Sequence, residues 1–339
     1  MLRRRGRLWA SFTVAALLLV ALGYWKNGES ASLLSHGAEE SEPNAYNLLL
    51  LGQDEAAELT DVIMLIHVDA EAGRMCLAQI PRDTYFRYTD RNYKKINGAV
   101  KTLGGAKALC EALERALPVS VDGYVLMDLD CVREAVDLLG GVEINVPCDM
   151  DYEDPAQGLS IHLKKGRSVL SGTEAEQFVR FRAGYLRGDL GRIDAQKLFL
   201  AAFFKAAAAV DVRELPRFAS LAVRAVDTDL SLDLVISLFR CVREIPETNI
   251  TVLTLPGEEI RSSGSGAWYY VLSRDGTAEV METQFGVMGA GACMDPGHLF
   301  SHTSRADLEE IYRKHVPPVY RTVGELHQSG LSPETVEAE

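Results

Sequence analysis

The hydrophobic residues of this chain fall in short continuous runs, each followed by polar or turn-forming residues. The first run, YNLLLL at residues 46–51, ends at a glycine and is typical of a strand that is buried on both faces. A KKG turn at residues 164–166 is expected to join a hairpin between residues 159–163 and 168–170. The remaining predicted strands are residues 61–68, 75–80, 123–127, 142–146, 251–255 and 268–272.

Helices are predicted between these strands. Ser171 and Glu174 have the spacing of a capping box, which starts a helix, while a glycine pair ends another helix over residues 128–139. Residues 190–210 are apolar nearly all round, so this helix lies at the centre of the core or lines an apolar cavity. Strands that alternate with helices predict an α/β fold, a single layered α/β/α domain with a central mixed sheet flanked by helices. The other predicted helices are residues 106–117, 216–226, 231–242, 277–285 and 305–315.

One apolar run, residues 8–25, is long enough to cross a membrane. At about 1.5 Å per residue it spans ~27 Å, close to the thickness of a bilayer's hydrocarbon core. Four arginines within residues 1–7 predict a cytoplasmic N-terminus, so the run is interpreted as an uncleaved transmembrane helix. A cleavable signal peptide is the alternative, because residues 30–32 form a weak cleavage site. Both interpretations place the rest of the chain outside the cytoplasm.

The domain organisation follows from these patterns. Residues 26–44 are a polar linker, residues 45–286 form the predicted folded domain, and residues 287–339 are a partly disordered C-terminal extension. A composition of 47% hydrophobic residues is enough for a core, and a net charge of −13 argues against binding to nucleic acid. The six cysteines have no CxxC spacing, so no zinc site is predicted.

Arginines are concentrated in one stretch of this acidic chain, QFVRFRAGYLRGDLGRIDAQ at residues 177–196. Arg82, within IPRD, is a further candidate from elsewhere in the sequence. A planar guanidinium can hold a phosphate or carboxylate with two parallel hydrogen bonds, so one interpretation is a site for a diphosphate. The other is an exposed helix whose arginines pair with nearby acids, and spacing alone does not decide between them. The arginines of the stretch are Arg180, Arg182, Arg187 and Arg192, and the acids are Glu174, Glu176, Asp189 and Asp194.

Two aspartates add a candidate metal site. Asp54 follows the first predicted strand and Asp61 opens the second, where ligands of α/β sheets commonly bind. Magnesium takes one or two carboxylates together with phosphate oxygens of the substrate. Taken singly, Asp54 is better explained as a turn residue and Asp61 as a strand cap. Together with the arginines, they form the set that a diphosphate requires.

The motifs, in their order along the chain, resemble the LytR–CpsA–Psr family over roughly residues 45–285. The resemblance implies a phosphotransferase outside the cytoplasmic membrane, which uses Mg²⁺, or Mn²⁺ as the alternative. It would move a glycopolymer such as teichoic acid or capsule from a polyprenyl diphosphate carrier to peptidoglycan. The matching segments are YNLLLLGQD, TDVIMLIHVD, LAQIPRDTYF, KING, LKKGRSVLSGTEAEQFVRFR, GDLGRIDAQ and VLTLPG.

The same resemblance assigns roles to individual residues. It implies catalytic roles for Arg82, Arg180, Arg182, Arg192 and Asp61, and a metal site at Asp54 and Asp61. Substrate-binding roles are implied for Gln196, Lys95, Asp83, Phe199 and Phe203. Asp83 is expected to orient an arginine, and the two phenylalanines would line a channel for the lipid unless their helix is an ordinary core helix.

Three positions depart from the family pattern. Glu55 and Ala56 stand where an arginine usually follows the first aspartate, Gly98 replaces a frequent histidine, and Ala195 replaces the second arginine of the GRxxRQ-like run. Fewer cations would weaken the grip on a diphosphate. Two alternatives therefore stay open: a hydrolase that cleaves polyprenyl diphosphate with water, and a regulatory protein that binds lipid-linked phosphate without turnover.

Overall fold

The structure of the protein is a computed structural model. The predicted transmembrane helix and linker lie outside the residues that it describes, and so do residues 216, 219 and 222–224 of the helix predicted at residues 216–226. Within the described part of the chain, no helix is long and apolar enough to cross a membrane. The described residues are 45–54, 59–89, 92–154, 159–182, 185, 189–208, 217–218, 220–221, 225–242, 244–262, 266–301 and 305–329.

A seven-stranded mixed sheet forms the centre of the fold. Its strands, in the order in which they lie side by side, are β11 (Val226–Thr228), β6 (Gly123–Met127), β1 (Ala45–Asp54), β2 (Leu59–Asp69), β3 (Arg74–Ile80), β12 (Ile250–Thr254) and β15 (Arg321–Thr322). Two-stranded sheets are formed by β4 (Tyr85–Thr89) with β5 (Asn92–Lys95), β7 (Val142–Val146) with β10 (Gly166–Leu170), β8 (Met150–Asp154) with β9 (Leu159–Leu163), and β13 (Gly257–Arg261) with β14 (Trp268–Leu272).

Strand direction brings several chain segments to one edge of the sheet. β1 is parallel to β6, β3 is parallel to β12, and β2 runs antiparallel between β1 and β3. The carboxyl ends of β1, β3, β6 and β12 therefore meet the amino end of β2. In α/β sheets this is the edge at which ligands bind.

Helices cover both faces of the sheet, because alternate side chains of each central strand enter different cores. Leu48 and Leu50 of β1 belong to one core, whereas Leu49 and Leu51 belong to the other. The first core is completed by α3 (Leu129–Leu138), α4 (Gly172–Arg180), α5 (Asp189–Ala208), α6 (Leu232–Val242) and α10 (Val323–Ser329). The second is completed by α1 (Ala99–Leu103), α2 (Ala106–Ala116), α7 (Arg274–Thr283), α8 (Ala290–Cys293) and α9 (Ala306–Arg313). The predicted α/β architecture with a central mixed sheet is confirmed.

The hairpin predicted around residues 164–166 is wrong. β9 pairs with β8 and β10 pairs with β7, so the KKG segment is a bend and not a reversal of the chain. Asp149, in the connection between β7 and β8, accepts hydrogen bonds from the Lys165 backbone N–H at 2.8 Å and from Lys164 Nζ at 2.7 Å. The bend at the KKG segment faces the connection between β7 and β8, which bends in the same way. The four strands together therefore form one long bent hairpin.

The C-terminal segment is built onto the same domain. β15 pairs with β12 and extends the central sheet, although the sequence pattern had set residues 287–339 apart as an extension. Val323 and Leu326 of α10 are buried in the first core. The capping box predicted at the start of α4 is confirmed, since Ser171 and Glu174 bond reciprocally. That cap begins the helix which leads to Arg180 and Arg182.

Candidate active site

Asp61 lies in a β-bulge at the edge of the sheet where the carboxyl ends of β1 and β3 meet the amino end of β2. Gly52 is paired with Val62, but Gln53 is paired with Thr60, so Asp61 is an extra residue in β2. Such a bulge changes the direction of a side chain and is common beside active sites. Thr60 and Val62 are buried, whereas the Asp61 side chain remains 36% exposed. The carboxylate is therefore accessible at this edge.

Arg82 is presented by a tight turn directly after β3. The Thr84 N–H donates to the Pro81 carbonyl at 2.9 Å and closes the turn. The Arg82 carbonyl accepts from the Asn97 N–H at 3.1 Å, and the Asp83 carbonyl accepts from the Tyr270 N–H at 2.9 Å. Since these bonds come from two other parts of the chain, the turn is held in place on both sides.

Two arginines lie within 4.0 Å of the Asp61 carboxylate, and a third, exposed arginine interacts with it electrostatically. Nη1 of Arg82 donates to one oxygen of the carboxylate at 2.6 Å, and Nη1 of Arg192 lies 4.0 Å from the other oxygen. Arg182, in the segment after α4, contributes a further favourable electrostatic interaction. The three guanidinium groups come from the turn after β3, the segment after α4 and the start of α5. We refer to Arg82, Arg182, Arg192 and Asp61 as the arginine cluster.

The pKa of Asp61 is set by two opposing effects. Burial raises the pKa of this carboxyl, but the charges of Arg192 and Arg82, the hydrogen bond from Arg82 and the charge of Arg182 together outweigh burial and lower the pKa below its ordinary value. Asp61 is therefore ionised at neutral pH. Its charge offsets part of the repulsion among the three guanidinium groups.

Close helix packing places Arg192 in this cluster. Arg192 is only 2% exposed, on the first turn of α5. The preceding residue, Gly191, lies so close to Tyr185 that an added Cβ would be 2.4 Å from Tyr185 Cβ and 2.9 Å from its Cγ. Only glycine allows this approach, so the GR pair of the sequence motif combines a packing requirement at Gly191 with the buried side chain of Arg192.

Lys95 and Asp83 extend the arginine cluster as a chain of charges. Lys95 Nζ donates to Asp83 Oδ2 at 2.6 Å, and Asp83 Oδ1 is 3.7 Å from Arg82 Nε. The expected role of Asp83 in orienting an arginine agrees with this arrangement. Direct contact of Asp83 or Lys95 with substrate stays a prediction.

Arg180 makes a different interaction. Its Nη1 donates at 2.8 Å to Glu176, one turn earlier in α4, and the other oxygen of Glu176 accepts from Arg133 at 2.5 Å. Arg133 also pairs with Asp130 in α3. This network links two helices, and Glu176 is one of the acids that the ion-pair interpretation of the sequence named. A catalytic role for Arg180 stays a prediction.

The remaining residues that were predicted to contact substrate are buried. Gln196 accepts a hydrogen bond from Gln79 Nε2 at 3.0 Å and donates to the Val179 carbonyl at 3.4 Å. Phe199 and Phe203 are fully buried in the first core, with ring centroids 6.1 Å apart. Ala195, where the family pattern has an arginine, is also buried in that core. A lipid channel along Phe199 and Phe203 stays a prediction.

The structure describes only part of the predicted metal site. Asp54 ends β1 opposite Leu59, close along the ladder to Asp61, but its side chain lies outside the described part, as do Glu55, Ala56 and Arg187. Among the described residues, no group of three or more His, Cys, Asp or Glu side chains could hold a metal ion. Asp61 nevertheless supplies an ionised oxygen donor of the kind that magnesium prefers.

Sequence reasoning missed Gln79. Its side chain is 1% exposed, in the LAQI strand three residues before Arg82. A polar residue inside an otherwise apolar strand was the available signal, because a buried amide requires hydrogen-bond partners. Arg133 and Tyr270 were also missed, and neither follows a recognisable motif.

Comparison with known proteins identifies the family. Residues 26–286 match the LytR_cpsA_psr family, so the chain belongs to that family and the predicted resemblance is confirmed. The TagV polyisoprenyl-teichoic acid–peptidoglycan teichoic acid transferase of Bacillus subtilis (strain 168) is 27% identical over 289 residues, which cover 78% of this chain and 74% of TagV. The TagU transferase of the same description from Oceanobacillus iheyensis is 30% identical over 244 residues, which cover 68% of this chain and 72% of TagU.

Solved structures agree with this assignment. The crystal structure of B. subtilis TagV superimposes with a TM-score of 0.61 at 25% identity, covering 72% of this chain and 96% of that one. The structure of TagT bound to LI-WTA has a TM-score of 0.58 at 22% identity, covering 74% of this chain and 95% of that one. At that identity the similarity to TagT supports the fold alone.

The lowered pKa of Asp61 predicts a pH-dependent contribution to stability. A carboxyl whose pKa is lower in the folded chain stabilises it above the unfolded pKa, and this stabilisation is lost as pH falls through the folded pKa. We expect Asp61→Asn to lower the free energy of unfolding by ~1–2 kcal/mol at pH 7, a value reduced for solvent screening. Urea unfolding from pH 7 to pH 3 should show this difference shrinking below pH ~4. Glu143→Gln, in an exposed ion pair with Arg167, is the control, and an equal pH dependence in both variants would contradict the assignment.

The packing of Gly191 predicts a local effect on the arginine cluster. In Gly191→Ala the new methyl group must displace Tyr185 or the first turn of α5, and either movement shifts Arg192. We expect a loss of stability of ~1–3 kcal/mol, typical of overpacking, measured by urea unfolding. Gly297→Ala is the control, because its Cβ would meet only one atom, at 3.8 Å. Equal stability of the two variants would show that α5 accommodates the methyl group.

Proposed function

We propose that this chain is a phosphotransferase that moves a teichoic-acid-type glycopolymer from a polyprenyl diphosphate carrier to peptidoglycan, outside the cytoplasmic membrane. The observation that carries the proposal is the convergence of Arg82, Arg182 and Arg192 on Asp61 at the ligand-binding edge of the sheet. Three guanidinium groups and one carboxylate leave a net positive charge, which suits a doubly phosphorylated head group. The names of the related transferases TagV and TagU support the same substrate class.

The arginines act first in binding and orientation. A guanidinium can donate two parallel hydrogen bonds to phosphate oxygens, and a partly buried site makes each of them stronger than in water. Arg192 is 2% exposed and Arg82 has a side chain 17% exposed, so water competes little with the carrier. Their fixed positions limit the reorganisation needed when the head group binds.

The proposed reaction exchanges one phosphorus–oxygen bond for another. A hydroxyl of the peptidoglycan acceptor attacks the phosphorus next to the sugar, a new bond forms between that oxygen and phosphorus, and the hydroxyl proton passes to solvent water. The bond from this phosphorus to the bridging oxygen breaks, and its electron pair leaves with the polyprenyl monophosphate. The arginines stabilise the charge on the transferred phosphoryl group and on the leaving group.

Asp61 is a poor proton acceptor in this reaction. The neighbouring guanidinium charges lower its pKa, and a base whose pKa is far below the working pH removes a hydroxyl proton inefficiently. Phosphoryl transfer through a loose transition state depends more on positioning and charge than on a strong base. We assign Asp61 to holding the arginines and a cation.

Magnesium is proposed as the cofactor, with manganese as the alternative. Asp61 would hold the ion, assisted by Asp54 and by phosphate oxygens of the carrier, because magnesium takes one or two carboxylates in such sites. The bound ion would neutralise charge on the diphosphate. Residues 8–25 would anchor the enzyme beside its lipid substrate as a transmembrane helix.

Substitution of the arginines tests the proposed function. We expect Arg82→Ala and Arg192→Lys to slow transfer of a labelled lipid-linked glycopolymer to peptidoglycan by about 10–100-fold, since each loses charge-assisted hydrogen bonds of ~1.5–3 kcal/mol. Arg167→Ala, whose side chain is 76% exposed in a surface pair, should keep the parent rate. Parent-like transfer by both cluster variants would remove support for the mechanism. Release of free glycan without peptidoglycan attachment would instead identify the hydrolase.

Removal of divalent cations tests the cofactor. We expect chelation with EDTA to abolish transfer, and added Mg²⁺ or Mn²⁺ to restore it, because the ion would help to stabilise the additional charge that develops on the leaving phosphate. Ca²⁺ should restore less activity, since it prefers more ligands at longer distances. Arg167→Ala measured in parallel should need the same concentration of Mg²⁺ as the parent. A parent rate that is unchanged in EDTA would rule out the proposed metal dependence.

A further inference from the structure

A pair of buried glutamines lies behind the arginine cluster. Gln79 is 1% exposed on β3, and Gln196 is 9% exposed on α5. Gln79 Nε2 donates to Gln196 Oε1 at 3.0 Å, and Gln196 Nε2 donates to the carbonyl of Val179 in α4 at 3.4 Å. One connected set of amide hydrogen bonds therefore joins β3, α4 and α5.

The orientation of both amides follows from their partners. A backbone carbonyl only accepts hydrogen bonds, so Gln196 must direct its NH₂ group toward Val179. Its oxygen is then left for a donor, and the NH₂ group of Gln79 supplies one. A hydrocarbon side chain at position 79 would leave the buried oxygen of Gln196 without this donor.

Each of the three joined segments carries one arginine of the cluster. Arg82 is three residues after Gln79, Arg182 is three residues after Val179, and Arg192 is four residues before Gln196. The spacing of four in α5 is one helical turn, so Gln196 and Arg192 lie on the same face. A displacement of any one segment would change the distance between its guanidinium group and Asp61.

Electrostatics alone does not hold these segments together. Three guanidinium groups repel one another, and one Asp61 carboxylate offsets only part of that repulsion. When a diphosphate and a cation enter or leave, the charges at the cluster change. Hydrogen bonds between neutral amides in the core do not depend on that charge balance, so they can keep the segments in place in every state of the reaction cycle.

We propose that Gln79 is a positioning residue, which fixes the relative positions of the three arginine-bearing segments through Gln196. It touches no substrate, and its effect on the reaction rests on the proposed phosphotransferase function. Its effect on the geometry of the cluster does not depend on that function. Both effects are measurable in the full-length protein.

The test compares Gln79→Met with His67→Leu. Methionine keeps the length of the glutamine side chain but removes its donor. His67 is 4% exposed, and its Nδ1 is 2.7 Å from Asn47 Oδ1 in the same sheet, near the carboxyl end of β2 and away from the cluster. Loss of either buried hydrogen bond destabilises the core, so the control accounts for a general loss of stability.

Hydrogen exchange measured by mass spectrometry gives a readout that is independent of activity. We expect Gln79→Met to speed exchange selectively in residues 177–182 and 189–196, whereas His67→Leu should leave these segments unchanged. We also expect kcat for glycopolymer transfer to fall about tenfold or more in Gln79→Met, because a misplacement of ~1 Å can cost up to ~100-fold. His67→Leu should keep the parent kcat.

The outcomes separate the two proposals. Parent-like exchange in both segments of a folded Gln79→Met protein would overturn the positioning role, whatever its activity. A parent-like kcat in that variant would overturn it as well. If the unmodified protein transfers no glycopolymer, the proposed function fails, and the exchange measurement still decides whether Gln79 fixes the segments.

Discussion

The attraction between the Asp61 carboxylate and the guanidinium groups of Arg82 and Arg192 holds together segments that would otherwise repel one another. Distances of 2.6 Å and 4.0 Å join the start of β2 to the turn after β3 and to the start of α5. The interaction keeps Asp61 ionised despite burial. It also leaves an excess of positive charge, so the same arrangement that stabilises the protein is the one that we propose binds a polyanionic ligand.

The fold supplies this interaction through backbone geometry. A bulge turns Asp61 out of β2, hydrogen bonds from Asn97 and Tyr270 fix the turn that carries Arg82, and Gly191 lets α5 approach Tyr185. Each of these three features is local, and each positions a different segment of the chain. A precise site therefore arises where three independently held segments meet, and the buried pair Gln79–Gln196 joins them from behind.

Much of the architecture was predictable because its signals are local. Apolar runs marked the central strands, and the capping box at Ser171 marked the start of α4. The bent hairpin of β7 to β10 was not predictable, because the same KKG composition suits a bend and a turn. The pairing of β15 with β12 was missed for a related reason, since a two-residue strand has no periodicity of its own.

The sequence by itself determined the family, the α/β class and the set of candidate arginines and acids, because motifs and periodicity are properties of neighbouring residues. Only the tertiary structure decided how those residues are used. It places Arg82 and Arg192 against Asp61 but pairs Arg180 with Glu176, and it turns Gln196 toward Gln79 and Val179. These choices depend on strand register, one bulge and the docking of two helices, which no local pattern encodes.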